Sequence, residues 1–580
     1  MKTKYKGALI YLLLSLIVIL SLTVPLFVSG CGGRGIDIGS GDNNGDDDNN
    51  TAPTTSSTDE ETDNESETTE FSVNSSDIDE KELISMTTAD REAFVAALDE
   101  KYKELFKSLK VSKSYKSAKN HNPLITQRFG ADPFAMVYDG RVYVYTTNDV
   151  YEYENGKIKS NSYGKINTIN CISSADLVNW TDHGTIPVTQ IAKWAWNSWA
   201  PCATWREIDG KVKFFLYFAN SAGGIGVLEA DSPTGPWKDP LGRALITKST
   251  PNCADVTWLF DPAILVDDDG SAYLYFGGGI PGEQYAHPKT ARVVKLKDDM
   301  ISLDGTPVTI DAPFFFEDSG INKINGKYYY SYCLNWSDDV NEKNPAKANI
   351  AYMVSDSPMG PFTYVGTFLQ NPGVFFDGLY GNNHHSVIEF KGQYYVFYHA
   401  MYLEKKMNGV SNGYRSAHVN KVKINDNGTI AQVQANVAGV DQVAFLDPYA
   451  WNEAETISFM GGVETIKTTE KSPNFSANMV AEVSEGDFIC VQGVNFGDGA
   501  GTAGLKVRVA SGGSKGSAIK VSLDSRTGDA VAYVEVPSTG GITTYTDIIV
   551  PTKNITGVHD VYFSFWGDEF RIDGWQFLSE

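Results

Sequence analysis

The chain has 580 residues, a formal net charge of −24 and aromatic side chains at 12% of positions, so there is room for more than one domain. No basic stripe runs along it, which disfavours nucleic-acid binding. None of its six cysteines shows CxxC spacing, which argues against both a zinc site and a disulfide framework.

In chain order, Lys2, Lys4 and Lys6 precede an apolar stretch from Ala8 to Val28, which reads as a secretory signal. It runs into Val28-Ser29-Gly30-Cys31, which resembles a bacterial lipobox. The resemblance implies cleavage before Cys31 and lipid attachment to its sulfur, with residues 1–31 as the lipoprotein signal. A transmembrane helix is the alternative, because the stretch is near the minimum spanning length. Either way the folded part is expected outside the cytoplasm, held at a bacterial membrane. Residues 32–80 read as a disordered acidic linker, since positions 41–70 hold eleven Asp or Glu and no Lys or Arg. Residues 81–120 have helical spacing and are expected as a lead-in helix on or near the first repeat that follows.

From 121 to 440 a pattern repeats. Asp139-Gly140, Asp209-Gly210, Asp269-Gly270, Asn325-Gly326 and Lys391-Gly392 each precede an aromatic, β-branched run, a hairpin signal because both turn residues need positive φ. The glycines are 70, 60, 56 and 66 residues apart, which suits one multi-stranded sheet per repeat. Five such sheets predict a five-bladed β-propeller. Cys171, Cys202, Cys253, Cys333 and Cys490 are expected as buried small hydrophobes. After Asp447-Pro448 a second all-β region, 445–580, shows short alternating runs such as LKVRVA and AVAYVEV between turns, the pattern of a jelly-roll β-sandwich. The fold class is therefore all-β.

Counting back from the turns exposes candidate chemistry. Eight before Gly140 is Asp132, nine before Gly270 is Asp261, nine before Gly326 is Glu317, and eight before Gly392 is His384. A lone Asp before Pro is commonly a turn or cap residue. Three carboxylates at one channel mouth, however, raise one another's pKa and cost stability, so they point to a task. Glycoside hydrolysis needs such a set: an acid for the leaving oxygen and a base for water on the opposite face. Asp318 is expected to point away from Glu317, as alternation in a strand dictates. The second blade offers no acid near Cys202 and is expected to supply a pocket wall. Trp194, Trp196 and Trp199 are candidates for stacking on sugar, although a single Trp is more commonly core.

GADPFAMVYDGRVYVYTT, NSWAPC, WLFDPAILVDDDG, FFEDSGINKINGKYYYSY and GNNHHSVIEFKGQYYVFYH together resemble glycoside hydrolase family 43, in particular its arabinoxylan arabinofuranohydrolases. That likeness implies an inverting mechanism with Asp132 as general base, Asp261 tuning the acid's pKa and Glu317 as general acid. It places His384 over a hydrated calcium in the channel, with His385 as the adjacent rival. Trp199, Asn335 and Arg415 fall at substrate positions; a blade-closing salt bridge is the other reading of Arg415. Implied partners are arabinoxylan or a related hemicellulose, acted on by a monomer.

The C-terminal region resembles carbohydrate-binding module family 6 through Glu453-Ala454-Glu455 and Ile572-Asp573. In that family these acids frame a structural calcium, and hard oxygen ligands suit the ion. The chain departs from the pattern with Ile542, followed by Tyr545, and with Arg571, at positions that often line the sugar cleft, so sugar binding there is in doubt. The rival functions are a β-xylosidase or mixed xylosidase/arabinofuranosidase, a retaining fructan hydrolase (disfavoured because Asp261 follows Phe260 rather than Arg), and a non-catalytic surface glycan binder.

Overall fold

The structure is a computed structural model that describes residues 78–469, 474–475 and 479–580. The signal, Cys31 and most of the acidic linker lie outside these residues. Among the described residues, no helix is long and apolar enough to cross a membrane.

Five antiparallel sheets form in sequence order. The first blade comprises Ala131–Tyr138, Arg141–Thr147, Ile169–Ser174 and Trp180–Ile186; the second comprises Trp199–Ile208, Lys211–Ala219 and Ile225–Ala230. The third comprises Ala263–Val266, Ala272–Phe276, Ala291–Leu296 and Val308–Ile310, and the fourth Phe315–Ile324, Lys327–Leu334, Ile350–Ser355 and Thr363–Leu369. The fifth comprises His385–Phe390, Gln393–Ala400 and Ser416–Val422. The first strand of each blade neighbours the first strand of the blades on either side, and the fifth returns to the first. This is the expected five-bladed propeller.

Four of the five glycine turns are two-residue hairpins with both residues at positive φ, for example Asp139 at 46° and Gly140 at 72°. The third differs: Val266 pairs with Ala272, and of the residues between them Gly270 alone has positive φ, at 81°. Apolar faces of neighbouring blades pack together, as where Phe215 and Tyr217 of the second meet Leu274 and Phe276 of the third. The five cysteines are buried and unpaired. The ring closes through the chain entering the first blade. Leu124 donates its N–H to Ala417 O at 2.8 Å, and the Asn122 amide brackets Val419, donating to its carbonyl at 2.9 Å and accepting its N–H at 2.8 Å.

The C-terminal region is a sandwich of two antiparallel sheets. One orders Glu464–Lys467, Met479–Val483, Phe570–Ser579, Thr502–Ser511 and Tyr545–Pro551, with Asn452–Glu453 also on Phe570–Ser579. The other orders Phe459–Gly461, Phe488–Asn495, Val558–Gly567, Ser517–Leu523 and Ala530–Val536. The two domains interlock, because Thr456–Ile457 pairs with Trp180 and Thr181 and adds an outer strand to the first blade.

The lead-in departs from expectation. The helices Glu80–Ser85 and Thr88–Ser108 pack on the sandwich, not on the first blade. Tyr102 stacks on Tyr533 with centroids 5.7 Å apart, its hydroxyl donates to Glu535 at 2.7 Å, and Arg91 pairs with Glu580. Helical periodicity reveals an apolar face, but not which distant surface covers it.

Candidate active site

The first strands of the blades enter the channel through a bulge, and this sets the site. In a regular strand, neighbouring side chains face opposite ways. Here pairing skips from Ala131 to Phe134, from Trp199 to Cys202 and from Glu317 to Gly320. The residue opening each bulge has positive φ: Asp132 at 50°, Ala200 at 40° and Asp318 at 66°; Asp261, before Pro262, matches them at 49°. The structural register is therefore Asp132, Ala200, Asp261, Asp318. Glu317 precedes it by one, at the place taken by Ala131 and Trp199. Asp318 lies eight before Gly326, as Asp132 lies eight before Gly140, so the nine-residue count that reaches Glu317 is one residue off the register.

Asp132, Asp261 and Glu317 are all buried. Asp132 Oδ1 accepts from Arg415 Nη1 at 3.0 Å and Oδ2 from Thr147 Oγ at 2.7 Å. Its N–H donates to His399 Nδ1 at 3.0 Å, and His399 Nε2 in turn meets Asn382 O at 2.9 Å, which assigns the Nε2–H tautomer. Burial alone would raise the Asp132 pKa, but the Arg415 guanidinium, ahead of His384 and His399, holds it well below the usual carboxylate range.

The other two acids move the opposite way. Burial, then the charge of Asp132, pushes Asp261 well above its ordinary value, although its Oδ2 accepts the Asp318 N–H at 3.0 Å. Burial, then Asp261 and Asp132, likewise pushes Glu317 up. Glu317 Oε1 is buried without a hydrogen-bond partner, an arrangement costly for an ionised oxygen and tolerable for a neutral acid. The same channel thus favours the ionised form of Asp132 and the protonated form of Glu317 and of Asp261.

Arg415 is buried and gripped by Asp149, to which Nε and Nη2 donate at 2.9 Å each; its guanidinium lies 5.0 Å from the Tyr163 ring centroid. Trp199 meets Tyr163 edge-on at 6.4 Å and donates Nε1–H to the Tyr163 carbonyl at 3.1 Å. Trp194 is stacked on Phe218 and bonded to Asp239 at 2.9 Å, whereas Trp196 is 61% exposed. Asn335, expected at the sugar, is fully buried and fastens a loop instead. Its Nδ2 donates to Tyr285 O at 2.8 Å and its Oδ1 accepts the Ser337 N–H at 3.1 Å. Cys202 is a core residue. The second blade contributes Ala200, whose N–H donates to Thr147 Oγ at 2.8 Å and so braces the group that holds Asp132.

His384 faces the acids, with Nε2 3.1 Å from Asp318 Oδ1 and Nδ1 3.6 Å from Asp132 Oδ1 and 3.8 Å from Asp261 Oδ2. Burial lowers its pKa. His385 lies behind it, with Nδ1 2.5 Å from Asp318 Oδ2 and Nε2 2.7 Å from Ser331 Oγ. The ring of His384 stands among three carboxylates. Thr147, Asp149, Tyr163 and His399 carried no usable sequence signal, since each reaches the site through a distant partner, whereas Asp318 is visible beside Glu317 but is set aside by strand alternation, which its φ of 66° breaks.

In the sandwich, Glu453, Glu455 and Asp573 are buried. Glu455 Oε2 has no partner, and burial, then Glu453, pushes its pKa well up. Among the described residues no three such side chains stand close enough to hold an ion as placed, yet hard oxygen donors with an orphaned buried carboxylate suit calcium chemically. Arg571 is paired with Glu482 at 2.8 Å, so its guanidinium is committed within the module.

The profile of Glycosyl hydrolases family 43 matches residues 120–430, and that of Carbohydrate binding module (family 6) matches 453–579. An arabinoxylan arabinofuranohydrolase of Paenibacillus polymyxa is 51% identical over 476 residues, 79% of this chain and 74% of that protein. Another, of Bacillus subtilis strain 168, is 51% identical over 480 residues, 79% of this chain and 93% of that one. A crystal structure of a family 43 arabinoxylan arabinofuranohydrolase from Bacillus subtilis in complex with cellotetraose superposes with a TM-score of 0.78 at 50% identity, covering 81% of this chain and 99% of that one.

Proposed function

We propose, because the chain belongs to glycoside hydrolase family 43 and carries a family 6 carbohydrate-binding module, that it removes L-arabinofuranose side groups from arabinoxylan with inversion. One observation carries the roles: Arg415 bonds Asp132 and lowers its pKa, while Glu317, in the same channel, is buried with Oε1 unpartnered and its pKa raised. Pairs of acids pushed apart in this way are the signature of a base and an acid. Asp132 takes a proton from water as its oxygen attacks the anomeric carbon, and Glu317 gives its proton to the departing glycosidic oxygen. Burial first, then the neighbouring carboxyls of Asp261 and Asp132, oppose ionisation of Glu317. Arg415 and Tyr163 form one wall beside the base, and Trp199 extends it. The substrate assignment is supported by the two 51%-identical relatives, which share most of this chain's length.

Glu317→Gln and Asp132→Asn are each expected to lower turnover on wheat arabinoxylan about 10²–10⁴-fold while leaving the thermal transition in place. Early hydrolysis followed by proton NMR is expected to show the inverted anomer first; the retained anomer would overturn the mechanism. Release of arabinose from arabinoxylan, but of no sugar from linear xylan, separates this reading from a xylosidase.

The sequence Val28-Ser29-Gly30-Cys31 supports a lipid anchor at the cell surface, with the acidic linker as tether. Cys31→Ala is expected to release the enzyme from the membrane fraction.

A further inference from the structure

Asp318 is used by none of the steps above, yet it is the fourth member of the bulge register. Its φ of 66° breaks strand alternation, so that Glu317 and Asp318 both work toward the channel. Its N–H holds Asp261 Oδ2 at 3.0 Å. Its carboxylate binds His385, with Oδ2 2.5 Å from Nδ1 and Oδ1 accepting the His385 N–H at 3.2 Å, and its Oδ1 stands 3.1 Å from His384 Nε2. Room for this is built in: a Cβ on Gly320 would come within 2.6 Å of Ser331 Oγ and 3.0 Å of His385 Nε2. With Nε2 of His384 against Asp318, its Nδ1 is the nitrogen turned toward Asp132 and Asp261.

We propose that Asp318 is a positioning residue for the proton-donating half of the reaction. Through its carboxylate it holds His385 and backs the ring of His384, and through the N–H of the same turn it sets Asp261 against Glu317. This deepens the assignment of Glu317 as acid and rests on it. Asn at 318 keeps the size, but its amide nitrogen cannot accept from an imidazole, so one histidine must turn.

The diagnostic is dependence on the leaving group. Proton donation matters for a sugar alcohol and little for 2,4-dinitrophenolate. Asp318→Asn is expected to lower kcat on arabinoxylan about 10- to 100-fold, the cost of a small misplacement, with KM within about 2-fold. On 2,4-dinitrophenyl α-L-arabinofuranoside the loss is expected to be less than about 3-fold, because the acid contributes little there. Glu317→Gln, run alongside, must show the same selectivity more strongly; if it does not, the acid assignment itself fails. If Glu317→Gln is selective but Asp318→Asn loses both substrates equally, or neither, positioning by Asp318 is refuted. Should Asp318→Asn not fold, His385→Gln loosens the same carboxylate, and the same selectivity is expected at smaller amplitude; equal losses there refute the proposal too.

Discussion

Asp132 and Glu317 are both buried acids, and their neighbours send them in opposite directions. Arg415 decides it: its Nη1 reaches Asp132 Oδ1 at 3.0 Å while Asp149 grips the rest of the fork. A charge-assisted hydrogen bond in a dry site outweighs the desolvation of the carboxylate it serves. Glu317 receives no such bond at Oε1. The pH profile of kcat/KM follows from these directions. Activity needs Asp132 ionised and Glu317 protonated, so the acid limb falls below the ordinary aspartate range and the alkaline limb lies above the ordinary glutamate value. Arg415→Gln removes the cation that lowers the Asp132 pKa. The acid limb is then expected to rise by about one pH unit or more, since the lost bond is worth about 1.5–3 kcal/mol. An unmoved limb would show that the titrating group is not Asp132.

At the scale of elements, the propeller was legible because its signals are local. Two-residue turns at Asp139-Gly140 and Asn325-Gly326 need only their own φ angles, and the strands beside them declare themselves by composition. The three acids were singled out because each sits near such a turn, and the structure brings them into one channel. Asp318 was misread because strand alternation fails at a bulge, and Asn335 because a resemblance gives a position without its hydrogen bonds. Thr147 and Asp149 depend on long-range closure of the first and fifth blades, which no local pattern encodes. The sandwich acids show the same dependence: Glu453 and Glu455 open its first strand region, and Asp573 lies on its last. Because Glu455 is buried, with one oxygen orphaned and its pKa raised, a cation there would relieve repulsion among these acids. We therefore expect calcium at 100-fold over its Kd to stabilise the sandwich by about 2.7 kcal/mol. Differential scanning calorimetry with calcium and with chelator checks this, and the gain should vanish in Glu455→Gln.

Over the whole molecule, the sandwich is part of the catalytic domain's construction. Thr456–Ile457 completes the edge of the first blade, the blade that carries Asp132. Beneath that edge, buried Asp182 pairs with Arg128 and accepts from Thr465 of the sandwich. Asn179 Nδ2 donates to Gln492 O at 2.8 Å, and Gln492 N–H donates back to Asn179 Oδ1 at 2.9 Å. The helix Thr88–Ser108 lies on the sandwich too, and the chain crosses from there to the propeller, with Ser112 N–H bonded to Gly486 O at 2.9 Å on the way. Cutting the chain near residue 445 would expose an unpaired strand edge and strip buried Asp182 of the Thr465 hydroxyl, a hydrogen bond to a charged group worth about 1.5–3 kcal/mol. Residues 120–445 produced alone are therefore expected to aggregate or to melt well below the full chain, whatever the substrate. The full chain is expected to unfold in one calorimetric transition. Two resolved transitions, with a free propeller fully active on a small aryl arabinoside, would show instead that the module is a removable attachment.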